Sequence, residues 1–123
     1  MIDPQLLCRK HLLGEHGEIH KHRHNFVKHQ SIAGRISPVV QIEPSSMKSR
    51  HDDLVAEMLR RGYNHNSPYE QPDLSYLPDD QRYAIVDISI SMADLYKRCE
   101  ECKSNIDIRM SEEYFEAMSN GWG

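Results

Sequence analysis

Two stripes of ionisable side chains stand out between residues 11 and 24 of this 123-residue chain. His11, Glu15, Glu18 and His22 are spaced 4, 3 and 4, so a helix through them sets all four on one face. His16, His20 and His24 make a second stripe, each one turn from the last. Carboxylates beside imidazoles can move protons next to a bound phosphate backbone. Imidazoles one turn apart can instead share a divalent ion. For most of these histidines a solvated polar helix face is the plainer reading, and HExxH does not occur.

Cys99-Glu100-Glu101-Cys102 has the CxxC spacing of zinc and redox sites. A zinc site would need two more ligands, with Cys8 and a histidine as candidates. On a helix, positions i and i+3 are also core neighbours and free cysteine is often buried, so core packing is the favoured reading. The three cysteines make no paired secreted framework and agree with a reducing compartment. GxGxxG, Walker and GxSxG motifs are absent, which removes the usual nucleotide-cofactor and serine-hydrolase readings.

The elements that must position these groups read as helices. Asp3-Pro4 is a helix-start signal, and Leu12, Ile19 and Phe26 recur every seven residues as the apolar stripe of a helix running to about Gln30. Leu13 and Val27 widen that stripe. Gly14 and Gly17 interrupt the helix, each costing about 1 kcal/mol relative to alanine. Residues 31–46 read as a connection with a short extended piece at Val39–Ile42. A second helix from about Ser46 to Arg61 buries Leu54, Val55, Met58 and Leu59, and Gly62 is its left-handed stop. Tyr63 to Pro78, with three prolines, reads as a long loop. Ile88, Met92, Leu95, Cys99 and Cys102 form the seam of a third helix, and Ser111–Met118 adds a short one near the end. Trp122 could stack on a nucleic acid or cap the core. The expected fold is all-α: one compact domain over residues 1–123, three main helices, long connecting loops.

Charge is uneven. Residues 1–35 hold six Lys/Arg against three acids, and six of the eight histidines. Residues 66–123 hold five basic groups against twelve acids, within a chain of net charge −4. A basic head on an acidic body can present one face to a polyanion. Mean hydropathy is −0.71, and no apolar run approaches the ~18 residues of a membrane span. The start, Met1-Ile2-Asp3-Pro4, lacks the basic and apolar regions of a signal peptide. The expectation is a protein of the cytoplasm, with no membrane partner.

Two segments carry a family resemblance. Leu6-Leu7-Cys8-Arg9-Lys10-His11-Leu12-Leu13-Gly14-Glu15-His16-Gly17-Glu18-Ile19 resembles the first helix of the endonuclease V-type pyrimidine dimer DNA glycosylases of bacteriophages and bacteria. Asp53-Leu54-Val55-Ala56-Glu57-Met58-Leu59-Arg60-Arg61-Gly62-Tyr63-Asn64 is similar to that family's second helix and glycine stop. A looser similarity runs through Leu77-Pro78 and Ile88–Arg98. The resemblance implies a compact three-helix bundle, N-glycosylase action followed by strand cleavage at the abasic site, and a bacterial cell or phage-infected host. It also implies that the N-terminal α-amine attacks the deoxyribose C1′ to form a Schiff base, with one essential glutamate on the first helix. Here those groups are Met1, expected to be retained before the bulky Ile2, and Glu18; His11 matches a family histidine two turns earlier.

The chemistry is sound in itself. An α-amine with a pKa of about 7.7–8.0 is partly neutral near pH 7, unlike lysine at about 10.4. A carboxylate beside it can stabilise the cationic intermediate and relay the proton whose loss drives elimination. Extruding a stacked base must be offset by phosphate contacts. Arg9, Lys10, His11, Lys21, His22, Arg23 and Lys28 are the candidates, with Gly14 and Gly17 leaving room for DNA to approach. Gly17 and Lys21 stand where the family has arginines. No cofactor and no metal is expected, and the partner is double-stranded DNA carrying a damaged base or abasic site, bound by a monomer. The alternatives are a non-catalytic nucleic-acid-binding module on the same scaffold, or a His/Cys metal-binding protein. One geometric condition follows. A straight helix from Pro4 to Glu18 would span about 21 Å at ~1.5 Å per residue, so the chain must break between about Leu7 and His11 and fold residues 1–6 back.

Overall fold

The computed structural model describes residues 1–121, with the side chains of 119–121 left aside; Trp122 lies outside them. Five α-helices follow in order: α1 (Arg9–Val27), α2 (Met47–Arg60), α3 (Asp79–Arg82), α4 (Ile88–Arg98) and α5 (Glu100–Gly121). Among the described residues there is no strand, so the piece expected at Val39–Ile42 does not form one. The architecture is all-α. α1 packs on α2, α4 on α5, and the N-terminal segment lies between α2 and α5.

The chain does break ahead of α1. Asp3 accepts a hydrogen bond from the Gln5 amide at 2.9 Å and starts a single 3-10 turn, Pro4–Leu6. Leu7 (ψ 137°) and Cys8 (ψ 167°) are extended, and α1 begins only at Arg9. Leu6, Leu7 and Cys8 are all buried, so burial of this short apolar run holds the turn-back in place.

Leu12, Ile19 and Phe26 lie at the centre of the core, as their seven-residue spacing requires, whereas Val27 in the last turn is half exposed. On α2, Leu54 and Met58 are buried but Leu59 faces outward. Gly62 ends that region at φ 84°, a conformation other residues adopt only with strain. The 63–78 loop is ordered by burial of Tyr69, Leu74 and Leu77.

The expected third helix is two. Cys99 takes φ −129° and ψ 113°, which ends α4 and starts α5 in a new direction. Its sulfur accepts from the Cys102 amide at 3.5 Å, the bond a helix-capping side chain makes to the amide three residues on. The 4, 3, 4, 3 apolar spacing continues through this corner, because both helices bury against the same core. The short helix expected at Ser111–Met118 is the distal part of the 22-residue α5.

Candidate active site

The first stripe of α1 opens onto a cleft of about 180 Å3, lined by Met1, Ile2, Glu15, Glu18, Ile19 and His22 on one side. Gln41, Ile42, Glu43, Met47, Arg50, Val86 and Ser91 complete its walls. This is the space of about six waters. The turn-back at Leu7–Cys8 brings Met1, seventeen residues away in sequence, to the same cleft as Glu18.

Three carboxylates line the cleft, and two are engaged. Glu15 takes a bidentate grip from Arg50, at 2.5 Å from Nε and 2.9 Å from Nη2. Glu43 accepts the Val86 amide at 2.8 Å. Among the described residues Glu18 has no ion-pair or hydrogen-bond partner, and it is exposed. It is therefore the cleft carboxylate that no described side chain engages. His22 forms the buried wall behind it; burial, with Arg35 adding and Glu18 opposing, holds its pKa below the ordinary imidazole value. A neutral His22 can accept or donate a hydrogen bond but offers no phosphate a full charge.

The N-terminal strap is held by groups that local periodicity does not reveal. Arg50, buried on α2, donates to the Ile2 carbonyl at 2.6 Å as well as to Glu15. Arg61 donates to the Leu7 carbonyl at 2.6 Å and to Pro4 at 3.3 Å. Glu57, itself buried, fixes Arg61 at 2.9 Å and also accepts from Arg60. From α5, Arg109 reaches Asp3 and Gln5, each at 3.0 Å, and Asn105 donates to Leu6 at 3.1 Å. Positions 50, 54, 57 and 61 share one helical face, so a single side of α2 supplies both arginine clamps. Charge at that spacing was the available signal; its partners, 35 and more residues away in other elements, were not.

The nine residues singled out as nucleic-acid contacts separate into groups. Lys10, Gly14, Gly17, Lys21 and Lys28 fall at spacings of 4, 3, 4 and 7 and share one exposed face of α1 beside Glu18. A Cβ built on Gly14 or Gly17 meets no atom within 4 Å, so this face is open. Arg9 and Arg23 lie on other sides: Arg9 sits 5.0 Å from the Tyr63 ring centre, and Arg23 donates to the Glu70 carbonyl at 2.7 Å. His22 lines the cleft, as above. His11 does not line it; its Nδ1 is 3.1 Å from the Cys8 sulfur and 3.6 Å from that of Cys102. In the second stripe, His16 and His20 meet His51 of α2 and His65 of the following loop, while His24 is exposed.

No curated protein and no solved structure matches the chain. A family model described as pyrimidine dimer DNA glycosylase matches residues 1–71, the stretch that contains the strap, α1, α2 and both arginine clamps. The looser similarity over Leu77–Arg98 lies beyond that match. The chain belongs to the pyrimidine dimer DNA glycosylase family.

Proposed function

We propose that the protein is a DNA glycosylase with abasic-site lyase activity, in which the Met1 α-amine is the nucleophile and Glu18 its acid/base partner. The observation that carries this reading is the shared cleft: a chain terminus and one unpaired carboxylate line the same small cavity. The neutral amine attacks the deoxyribose C1′ and the bond from C1′ to the base breaks, the base leaving with the electron pair and taking up a proton. The nitrogen loses one proton, the C1′–O4′ bond breaks as the C1′=N iminium forms, and O4′ takes up a proton as the sugar ring opens. Glu18 stabilises the iminium charge and accepts the C2′ proton, whereupon the 3′ phosphate leaves by β-elimination. Arg50 acts through position: by gripping Glu15 and the Ile2 carbonyl it fixes the strap and neutralises the nearer competing carboxylate.

Lys10, Lys21 and Lys28 supply the phosphate contacts. At ~1.5 Å per residue they lie about 16 Å and then about 10 Å apart along α1, a row that can follow a DNA backbone. Between Lys10 and Lys21, Gly14 and Gly17 allow backbone-to-backbone approach. Pyrimidine dimers in DNA are the proposed lesion.

Borohydride trapping on an abasic-site duplex tests the reading. A covalent adduct mapping to the N-terminal peptide is expected from the native protein, and none from N-acetylated protein. Glu18→Gln should cleave slowly. DNA binding without any adduct would favour the non-catalytic module instead.

A further inference from the structure

Away from the cleft, two helices begin at the same point in space. Cys8 is the residue before the first turn of α1 and His11 stands three further on; Cys99 and Cys102 hold the same two positions at the start of α5. A side chain at each of these positions folds over its helix end, as in a capping box. Where two such ends meet, four side chains converge. Their ligand atoms lie within 4.8 Å of one another. The Cys8 and Cys99 sulfurs are 3.9 Å apart, and His11 Nδ1 is 3.1 Å from Cys8 and 3.6 Å from Cys102. Bonds of ~2.3 Å to sulfur and ~2.0–2.1 Å to nitrogen, at tetrahedral angles, require about 3.8 Å between sulfurs and about 3.5 Å between sulfur and nitrogen.

We propose that Cys8, His11, Cys99 and Cys102 bind one zinc ion that fastens the start of α1 to the start of α5. The surroundings fit thiolate ligands. The Cys8 amide donates to the Cys102 sulfur at 3.2 Å and the Cys102 amide to Cys99 at 3.5 Å, the kind of support that metal-bound sulfur takes from its backbone. Two positive helix ends pointing at one spot repel each other unless negative charge sits between them, and thiolates supply it. Core packing accounts for the burial of Cys8 and Cys102 but not for a half-buried Cys99 and a histidine whose ligand atoms meet theirs within 4.8 Å. The ion would tie the family-matched region to the C-terminal helices, 91 residues apart in sequence. It would also hold the corner from which the Met1 strap turns back.

A second cluster stands on separate grounds. His16, His20, His51 and His65 also have ligand atoms within 4.8 Å of one another. The Nε2 atoms of His16, His20 and His65 are buried with no hydrogen-bond partner, a costly arrangement for three imidazoles without a ligand. His51 engages both nitrogens elsewhere, Nδ1 at 3.0 Å from an Asp52 carboxylate oxygen and Nε2 at 3.1 Å from the Ser67 carbonyl, so His16, His20 and His65 are the ligands and His51 packs against them. A second divalent ion of the zinc class at this site would hold the 63–78 loop to α1.

Metal analysis of full-length protein purified under reducing conditions, followed by cobalt replacement, tests both sites independently of any DNA chemistry. Two equivalents of metal per chain are expected, with a thiolate-to-cobalt charge-transfer band and strong tetrahedral visible bands from the first site. Cys102→Ser should abolish the thiolate band and one equivalent. His65→Ala should remove the other equivalent and leave the band. Wild-type protein that retains no metal and gives no thiolate band on cobalt titration overturns the first site, as does a Cys8–Cys99 disulfide in freshly purified protein. That wild-type measurement decides the matter even if the serine variant fails to fold. One equivalent, unchanged in His65→Ala, overturns the second.

Discussion

Glu15 and Glu18 on one side of α1, and His16 and His20 on the other, come from a single six-residue stretch, yet the molecule surrounds them differently. The glutamates look onto a cleft walled by the N-terminal strap and α2, where Arg50 occupies Glu15 and leaves Glu18 free. The histidines look onto His51 and His65, with their Nε2 atoms buried. Burial and mutual repulsion among these imidazoles hold the His16 pKa down, to about 4, and burial lowers that of His20 as well. Residue type alone therefore did not decide chemistry on this helix. What each side faces did: one side has the chain terminus and open solvent, the other has donor atoms within 4.8 Å of one another.

Changes on the cleft side sharpen this contrast. Glu18→Gln should lower single-turnover cleavage of an abasic-site duplex by about 10²–10⁴-fold, the usual worth of a positioned proton-transfer group, while leaving the melting temperature within a degree or two. A loss of stability rather than rate would move Glu18 from chemistry to structure. Arg50→Ala should destabilise the fold by about 2–3 kcal/mol in urea titrations. That is less than the ~3–5 of a fully buried pair, because Glu15 keeps some contact with water. It should also slow cleavage, since the strap loses its grip on Ile2; full activity in that variant would dissolve the link between clamp and cleft.

The Arg61 clamp makes a pH prediction. Arg60, with Arg61, holds the Glu57 carboxyl below its ordinary value of 4.5. The stability this gives is complete above that value and is lost as pH falls through the lower folded one. Glu57→Gln should flatten the acid limb of a stability–pH profile, and an unchanged limb would remove Glu57 from the strap's support. Gly17→Ala should add about 1 kcal/mol of stability, because helix propensity rises and the new Cβ meets nothing. The same change should weaken DNA binding; tighter binding would mean the glycines are not the point of approach. Lys21→Ala should weaken binding a few-fold for every sequence and flatten the salt dependence by about one unit of slope.

Much of the cleft was legible in the sequence, and the reasons are local. The 4, 3, 4 spacing set Glu15, Glu18 and His22 on one face, and helix rise, together with the terminal-amine chemistry the resemblance implies, required residues 1–6 to fold back. The Gly62 stop needed only the terminus chemistry of α2. Other features depend on contacts that no periodicity encodes. Apolar spacing runs unbroken through Cys99, so the corner between α4 and α5 is invisible until the cysteine caps its own helix. Arg50 looks like any charged helical residue until Glu15 and Ile2 meet it. His51 and His65, far along the chain from His16, gave no spacing signal to join them. The CxxC signal was present, but its partners lie 91 residues away from it and at the start of another helix.

A free chain terminus working beside Glu18 makes the Met1 amine the group to block. Quantitative acetylation of the Met1 amine, verified by peptide mass with lysines left unmodified, should abolish nicking of ultraviolet-irradiated duplex while the protein stays folded and bound to DNA. Nicking at the native rate by the acetylated protein would contradict the account.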